Sequence, residues 1–327
     1  MNVLFIARGG ERTGLGHFAR SQRLVEAAKL RGHDAELLCL LDGPTSQAVE
    51  GAIAIADEAE LLGILARRSV GDVIAVDMLD VKGALARALE RSSVPVVSLS
   101  PVAPGAVWAS LVILRAAPNQ RDHRVPHLVG VEFAVLGQSL TPITEPIFSK
   151  ALDSPVRRVA VCFGGADPNN ETLATVRALT AHTDTQLDVF VGPAYPHDIA
   201  ALQGGMDANA AMALKVQRGD ARLWAQLAHS SVLVGGGGLL AYESACSGMP
   251  AVHLVPAGMR REMLAPLEEA GAIRVVDRDT ANAHRLLAEV VAALGPQGLG
   301  EMRRAALSLQ LGAGHVRCME AIEDLRS

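Results

Sequence analysis

The residues best suited to chemistry stand in Gly14-Leu15-Gly16-His17-Phe18-Ala19-Arg20, just after the strand-like run Val3-Leu4-Phe5-Ile6-Ala7. Glycine has no Cβ, so the backbone there can approach a ligand closely. The N–H groups that open the following helix favour an anion. The imidazole of His17 can move a proton near neutral pH. A second junction of this kind is Gly164-Gly165-Ala166-Asp167-Pro168-Asn169-Asn170, with Asn169 or Asn170 as the expected cap of the next helix. A third is Gly235-Gly236-Gly237-Gly238, followed by a helix that carries Glu243. Four glycines are more than a simple turn requires, and close approach to a pyrophosphate would justify them. Glu243 could accept hydrogen bonds from a ribose diol. Asp77 closes the run 73–77, where it either caps the next helix or meets substrate.

The same motifs exclude other chemistry. No Gly-Lys-Ser/Thr is present, so none of the loops is a Walker loop. The third glycine of a dinucleotide fingerprint is replaced by Ala19, and Asp42, beside Gly43-Pro44, reads as a turn residue. No cofactor is therefore expected. No metal is expected either, because the histidines lack ligand spacing, there is no Cys-x-x-Cys, and Asp77 and Asp167 are far apart.

The elements that must position these residues alternate. In the first half, strands are predicted near 3–7, 35–40, 73–77, 94–100 and 110–115, and helices near 18–31, 58–68 and 81–91. In the second half, strands are predicted at 157–163, 187–191, 231–234, 251–255 and 272–276. Helices are predicted at 170–182, 220–229, 240–247, 260–270 and 279–294, and a last helical segment at 299–325 is interrupted at Gly312-Ala313-Gly314. This alternation predicts two α/β domains with parallel sheets and a cleft between them. Pro142, Pro146 and Pro155 mark a linker, which divides the chain into 1–147 and 148–327, with a last helix that could cross back.

Bulk composition agrees. A chain of 327 residues exceeds what one core usually serves. Half of it is hydrophobic but only 3% aromatic, which suits buried strands of Val, Leu and Ile under Ala-rich helices. A net charge of −5, with arginine pairs only at 67–68, 157–158, 260–261 and 303–304, argues against a nucleic-acid partner and places those pairs on the solvated surface. The scattered cysteines, the lack of a signal-peptide pattern and the lack of a membrane-length apolar run lead to a cytoplasmic expectation.

Taken in order, these motifs resemble one family, the UDP-sugar hydrolases of the pseudaminic acid pathway. That family is related to the spore-coat polysaccharide proteins and, more remotely, to the glycosyltransferase that makes lipid II. The matching pieces are Gly14-x-Gly16-His17-x-x-Arg20, Asp77, Gly130-x-x-Phe133-Ala134-x-Leu136, Gly164-Gly165-Ala166-Asp167-Pro168-x-Asn170-x-Thr172, and Gly237-Gly238 with Glu243 ahead of Gly248-x-Pro250. The resemblance implies the GT-B fold, with the sugar side in the N-terminal domain and the nucleotide in the C-terminal one. It implies hydrolysis at C1 of a UDP-linked 2,4-diacetamido-2,4,6-trideoxyhexose, with His17 as the general base. Gly14, Gly16, Arg20, Asp77, Gly164, Gly165, Asp167, Gly237, Gly238 and Glu243 would bind substrate. The chain departs from the family pattern at Ile6-Ala7-Arg8, Gly137 and Leu239-Leu240, and at Gly258-Met259-Arg260-Arg261-Glu262, where Arg260 or Arg261 could replace a lost phosphate contact. Two other readings are compatible with the motifs: a GT-B glycosyltransferase that uses an acceptor, and a non-catalytic nucleotide-sugar binding protein.

Overall fold

The computed structural model describes residues 1–10, 13–42, 50–67, 71–117, 124–137, 140, 142–182, 185–192, 195–202, 204, 214–218 and 223–326. The chain forms two units, Met1–Gly137 with Gly312–Ser327, and Gln138–Leu311.

In the first unit, β1 (Asn2–Gly9), α1 (Gly16–Leu30), β2 (Asp34–Leu41), β3 (Ile53–Ile55), α2 (Glu58–Arg67), β4 (Val73–Asp77), α3 (Gly83–Glu90), β5 (Val96–Ser98), β6 (Leu111–Leu114) and β7 (His127–Val129) follow in order. The strands form one parallel sheet in the order β3-β2-β1-β4-β5-β6-β7. Val3 to Ala7 are all buried, as expected of a strand covered on both faces. Val3, Phe5 and Ala7 pack against α1 through Phe18, Leu24 and Ala28.

The second unit runs α4 (Glu145–Leu152), β8 (Arg158–Cys162), α5 (Glu171–His182), β9 (Gln186–Val191), β10 (Leu214–Arg218), α6 (Leu223–Leu227), β11 (Val232–Gly236), α7 (Leu239–Ser247), β12 (Ala251–Val255), α8 (Met259–Glu262), α9 (Ala265–Glu269), β13 (Ile273–Asp277), α10 (Ala283–Ala293) and α11 (Pro296–Ser308). Its sheet is also parallel, in the order β10-β9-β8-β11-β12-β13. The last helix, α12 (Gly314–Glu323), belongs to the first unit. There Cys318, Met319 and Ile322 join the core that holds Phe5 and Phe18. Glu323 accepts from Arg31 Nε at 2.8 Å and lies 2.6 Å from His33 Nε2.

Several sequence expectations need correction. The strands β3, β7 and β10 were not anticipated. Each lies at a sheet edge, and three-residue strands such as β3 and β7 are too short to show a period. The proline-marked linker contains α4, because Pro146 stands in the first helical turn, where a missing N–H costs nothing. The helix expected at 260–270 breaks into α8 and α9. The helix expected at 220–229 is observed as α6, and residues 220–222 lie outside the described ones.

The arginine pairs are not all surface groups. Arg158 donates to the buried Asp188 from Nε at 2.9 Å. Arg303 is 5% exposed. It donates to the carbonyls of Gly248, at 2.8 Å, and Ile143, and from Nε to Glu145 at 3.1 Å, with its guanidinium over the Phe148 ring. That network ties the segment before α4 to the end of α7. Arg68, Gly43 and Pro44 lie outside the described residues, as does the side chain of Arg260. All four cysteines are free thiols. Among the described residues no helix is long and apolar enough to cross a membrane.

Candidate active site

Both sheets reverse direction of growth at one place. In the first, the chain fills one side from β1 and the other from β4. In the second, the same happens at β8 and β11. Open parallel sheets bind ligands outside the carboxyl ends of the strands at such switch points. The loop bearing Gly14 follows β1 and leads into Gly16 and His17 at the start of α1, and Asp77 is the last residue of β4. The loops bearing Gly164, Gly165 and Asp167, and Gly237 and Gly238, follow β8 and β11.

The loop after β1 is fixed by backbone and by Asp42. Gly10 and Gly14 exchange both backbone hydrogen bonds, at 3.2 and 2.9 Å, and Gly14 takes φ +75°, a conformation L side chains rarely adopt. Thr13 N donates to Asp42 Oδ2 at 2.9 Å. Asp42, read from the sequence as a turn residue, is thus a loop anchor at the end of β2. The loop delivers the chain to α1, whose N-terminus has no side-chain cap and no acidic residue in its first turn.

His17 and Arg20 stand one turn apart in α1 and converge on Asp77, which is fully buried. His17 Nδ1 lies 2.7 Å from Asp77 Oδ1. A carboxylate only accepts, so Nδ1 carries the proton and donates, which in the neutral imidazole leaves Nε2 with a free lone pair. Arg20 donates from Nε to Oδ2 and from Nη2 to Oδ1. Ser100, which the sequence reading did not single out, donates from Oγ to Oδ1 at 2.7 Å. Burial alone would raise the Asp77 carboxyl, but the charges and hydrogen bonds of Arg20 and His17 outweigh it and hold the group well below the usual carboxylate range. Asp77 is therefore an anion that orients an imidazole. The side chain of His17 is 19% exposed, so its free edge can meet solvent or ligand.

In the second unit the loop residues gather at the ends of β8 and β11. Asp167 accepts from Glu171 N and Thr172 N, both at 2.9 Å, and from Thr172 Oγ1 at 2.6 Å. The side chain that caps the helix is thus Asp167, not Asn169 or Asn170. Asn170 instead accepts from Tyr195 OH at 2.6 Å. Gly235 on β11 pairs with Cys162 on β8, and a Cβ there would overlap the Cys162 carbonyl oxygen. Gly164 takes φ +86°, and Gly165 completes the turn that follows. Gly237 packs under Val255 and Leu264, and Gly238 opens α7, which has no side-chain cap. Glu243 lies half-buried in the second turn of α7. Burial pushes the Cys162 thiol up to about 11 against a hydrogen bond from the Gly164 backbone, with smaller contributions from the Glu243 and Asp167 carboxylates. His253 on β12, also not singled out in the sequence, donates from Nδ1 to the Gly236 carbonyl at 2.8 Å. Burial holds its imidazole down at about 4, so it is a neutral support for the glycine loop.

The structure thus brings His17, Arg20 and Asp77 into direct contact within one unit. A Cβ added at Gly14 or Gly16, just ahead of His17, would meet open space. Arg261 is engaged by Glu268 at 2.9 Å. Among the described residues no group of three or more His, Cys, Asp or Glu is placed to hold a metal ion.

No protein-family model matches the sequence, and no curated protein is similar to it. Solved structures do resemble it. MurG of Acinetobacter baumannii is 16% identical, with a TM-score of 0.67, over 99% of this chain and 100% of that one. The S. aureus MnaA–UDP co-structure is 11% identical, with a TM-score of 0.68, over 99% and 96%. The spinosyn rhamnosyltransferase SpnG, complexed with spinosyn aglycone, is 17% identical, with a TM-score of 0.62, over the whole of both chains. This likeness, with the two parallel sheets, shows an α/β two-domain GT-B fold.

Proposed function

We propose that this protein is a nucleotide-sugar hydrolase that uses His17 as the general base for water. The observation that carries the reading is the His17–Asp77 pair. Asp77 fixes the tautomer in which Nε2 can accept a proton, at the switch point of the first sheet. Water would give its proton to Nε2 while its oxygen attacks C1 of the sugar. The bond from C1 to the diphosphate oxygen then breaks, and the electron pair leaves with UDP. Asp77 stabilises the imidazolium as it forms.

The substrate proposed is a UDP-linked 2,4-diacetamido-2,4,6-trideoxyhexose, on the resemblance to the pseudaminic-pathway hydrolases. The first unit would take the sugar and the second the nucleotide. Support for a nucleotide comes from the uncapped start of α7 after the glycine run and from Glu243 behind it. One of the similar structures holds UDP. Leu239 and Leu240 offer no hydroxyl to a phosphate, so backbone N–H groups would make those contacts. Asp167 would act by holding the loop rather than by touching phosphate. Arg261 would have to leave Glu268 to reach one.

A transferase is the second reading, favoured by the similarity to SpnG. In it His17 would deprotonate an acceptor hydroxyl. Release of UDP from a panel of UDP-sugars, with and without acceptor alcohols, separates the two. Release without any acceptor supports the hydrolase. Release only when an acceptor is present replaces it with the transferase.

A further inference from the structure

Beyond His17 and Asp77, the same cluster contains a hydroxyl that serves no evident packing purpose. Ser100 is 1% exposed and stands two residues past β5. A buried hydroxyl is costly unless it is hydrogen-bonded, and an alanine would fill such a place more cheaply. Ser98, the last residue of β5, is also fully buried. Ser98 Oγ donates to the Ser100 carbonyl at 2.7 Å, which fixes the Ser100 backbone. Ser100 Oγ in turn donates to Asp77 Oδ1 at 2.7 Å and accepts from Arg20 Nη2 at 3.2 Å.

The reason for such an arrangement is competition for one oxygen. Asp77 Oδ1 receives three donors: His17 Nδ1, Arg20 Nη2 and Ser100 Oγ. Arg20 Nη2 also lies 3.3 Å from His17 Nδ1. Both are N–H donors, so they repel each other and compete for Oδ1. The guanidinium is the stronger competitor, because its full charge is drawn to the carboxylate in addition to the hydrogen bond, whereas a neutral imidazole brings the hydrogen bond alone. An acceptor on the far side of Nη2 shares its protons and lets the imidazole keep its place on Oδ1. Ser100 Oγ is that acceptor.

We propose that Ser100 is a positioning residue for His17. It shares the Arg20 guanidinium with Asp77 and so keeps the imidazole in the tautomer with Nδ1 protonated and Nε2 free. Its importance to turnover rests on the hydrolase reading, but its effect on the imidazole does not.

The test uses the full-length protein with 15N-labelled histidine. His17 resonances are assigned by their loss in His17→Gln. The wild type is expected to show His17 protonated at Nδ1. Ser100→Ala is expected to show a mixture of tautomers or exchange broadening at His17, with the other histidines unchanged. Ser100→Thr, which keeps the hydroxyl, is expected to restore the wild-type signature. Should the alanine variant fail to fold, Ser100→Cys keeps the volume and gives up the strong donor, and it is read in the same way. If either folded variant that lacks the hydroxyl keeps the wild-type tautomer, Ser100 is a packing residue and the proposal is overturned. A changed tautomer supports it even where no variant, nor the wild type, releases UDP, an outcome that would remove the hydrolase reading alone. Where turnover is present, the alanine variant is expected to lose about ten- to a hundred-fold in kcat with KM nearly unchanged. A loss confined to KM would also overturn the proposal.

Discussion

Replacing Asp77 by Asn tests both the stability and the chemistry of the cluster. The carboxylate is fully buried and accepts from His17, from Ser100 and twice from Arg20. The Arg20 side chain is only 12% exposed, so the variant leaves a cation with little water and no counter-charge. Removing one partner of a buried pair costs about 3–5 kcal/mol. For a unit of this size that is on the order of 10 °C in melting temperature. The amide can present N–H toward His17, which favours the wrong tautomer, and kcat is expected to fall by roughly a thousand- to ten-thousand-fold. The pH dependence follows from the direction of the Asp77 shift. Its folded value lies below the unfolded one of about 3.9, so the stabilisation is complete above that pH. It is lost as pH falls toward the folded value. The gap between urea melts of wild type and variant should therefore narrow as pH falls below about pH 4. A variant within about 1 kcal/mol of wild type at pH 7, or one with undiminished turnover, would refute the argument.

The remaining predictions concern the framework. Gly235→Ala forces a Cβ onto the Cys162 carbonyl between two central strands, and thermal melting should show loss of more than about 3 kcal/mol in the second unit. Gly238→Ala has open space, but φ +93° with ψ −137° lies close to backbone that only glycine adopts, so it should cost about 2–3 kcal/mol in the same assay. Arg303→Met orphans the carbonyls of Ile143 and Gly248 and should cost about 2–4 kcal/mol, with faster amide exchange at Ile143. Hydrogen bonds from Arg31 and His33 hold the Glu323 carboxyl down at about 2. Its folded value lies below the unfolded one, so its contribution is full above about pH 4.3 and is lost as pH falls through about 2. Amide exchange in α12 should rise selectively across that window.

Much of the fold was legible because its central strands are buried on both faces and read as continuous apolar runs, with glycine turns after them. Val3–Ala7, Val159–Cys162 and Val232–Val234 are of this kind. The edge strands β3 and β7 were not, since three residues at a sheet edge carry no readable period. The glycine motifs stand at both switch points because the first strand of each half and the strand that begins its second side end there. What a sequence motif could not reveal was contact at a distance. Ser100 and Asp77 are 23 residues apart and meet only because β4 and β5 are neighbours in the sheet. Arg303 looked like a surface residue because two of its partners are backbone carbonyls, which leave no mark in residue types, and its side-chain partners Glu145 and Phe148 are more than 150 residues away. Asp167 displaced Asn169 and Asn170 as the cap because the chain reverses between them, with Asp167 at φ +46° and Asn170 at φ +55°.

The most direct measurement of the central claim is UDP release without acceptor by wild type and His17→Gln, with UDP affinity measured on both. The account predicts turnover by wild type, a loss of about a hundred-fold or more in the variant, and equal UDP affinity. Equal turnover by the two proteins, or UDP binding by both with no release by either, would contradict it.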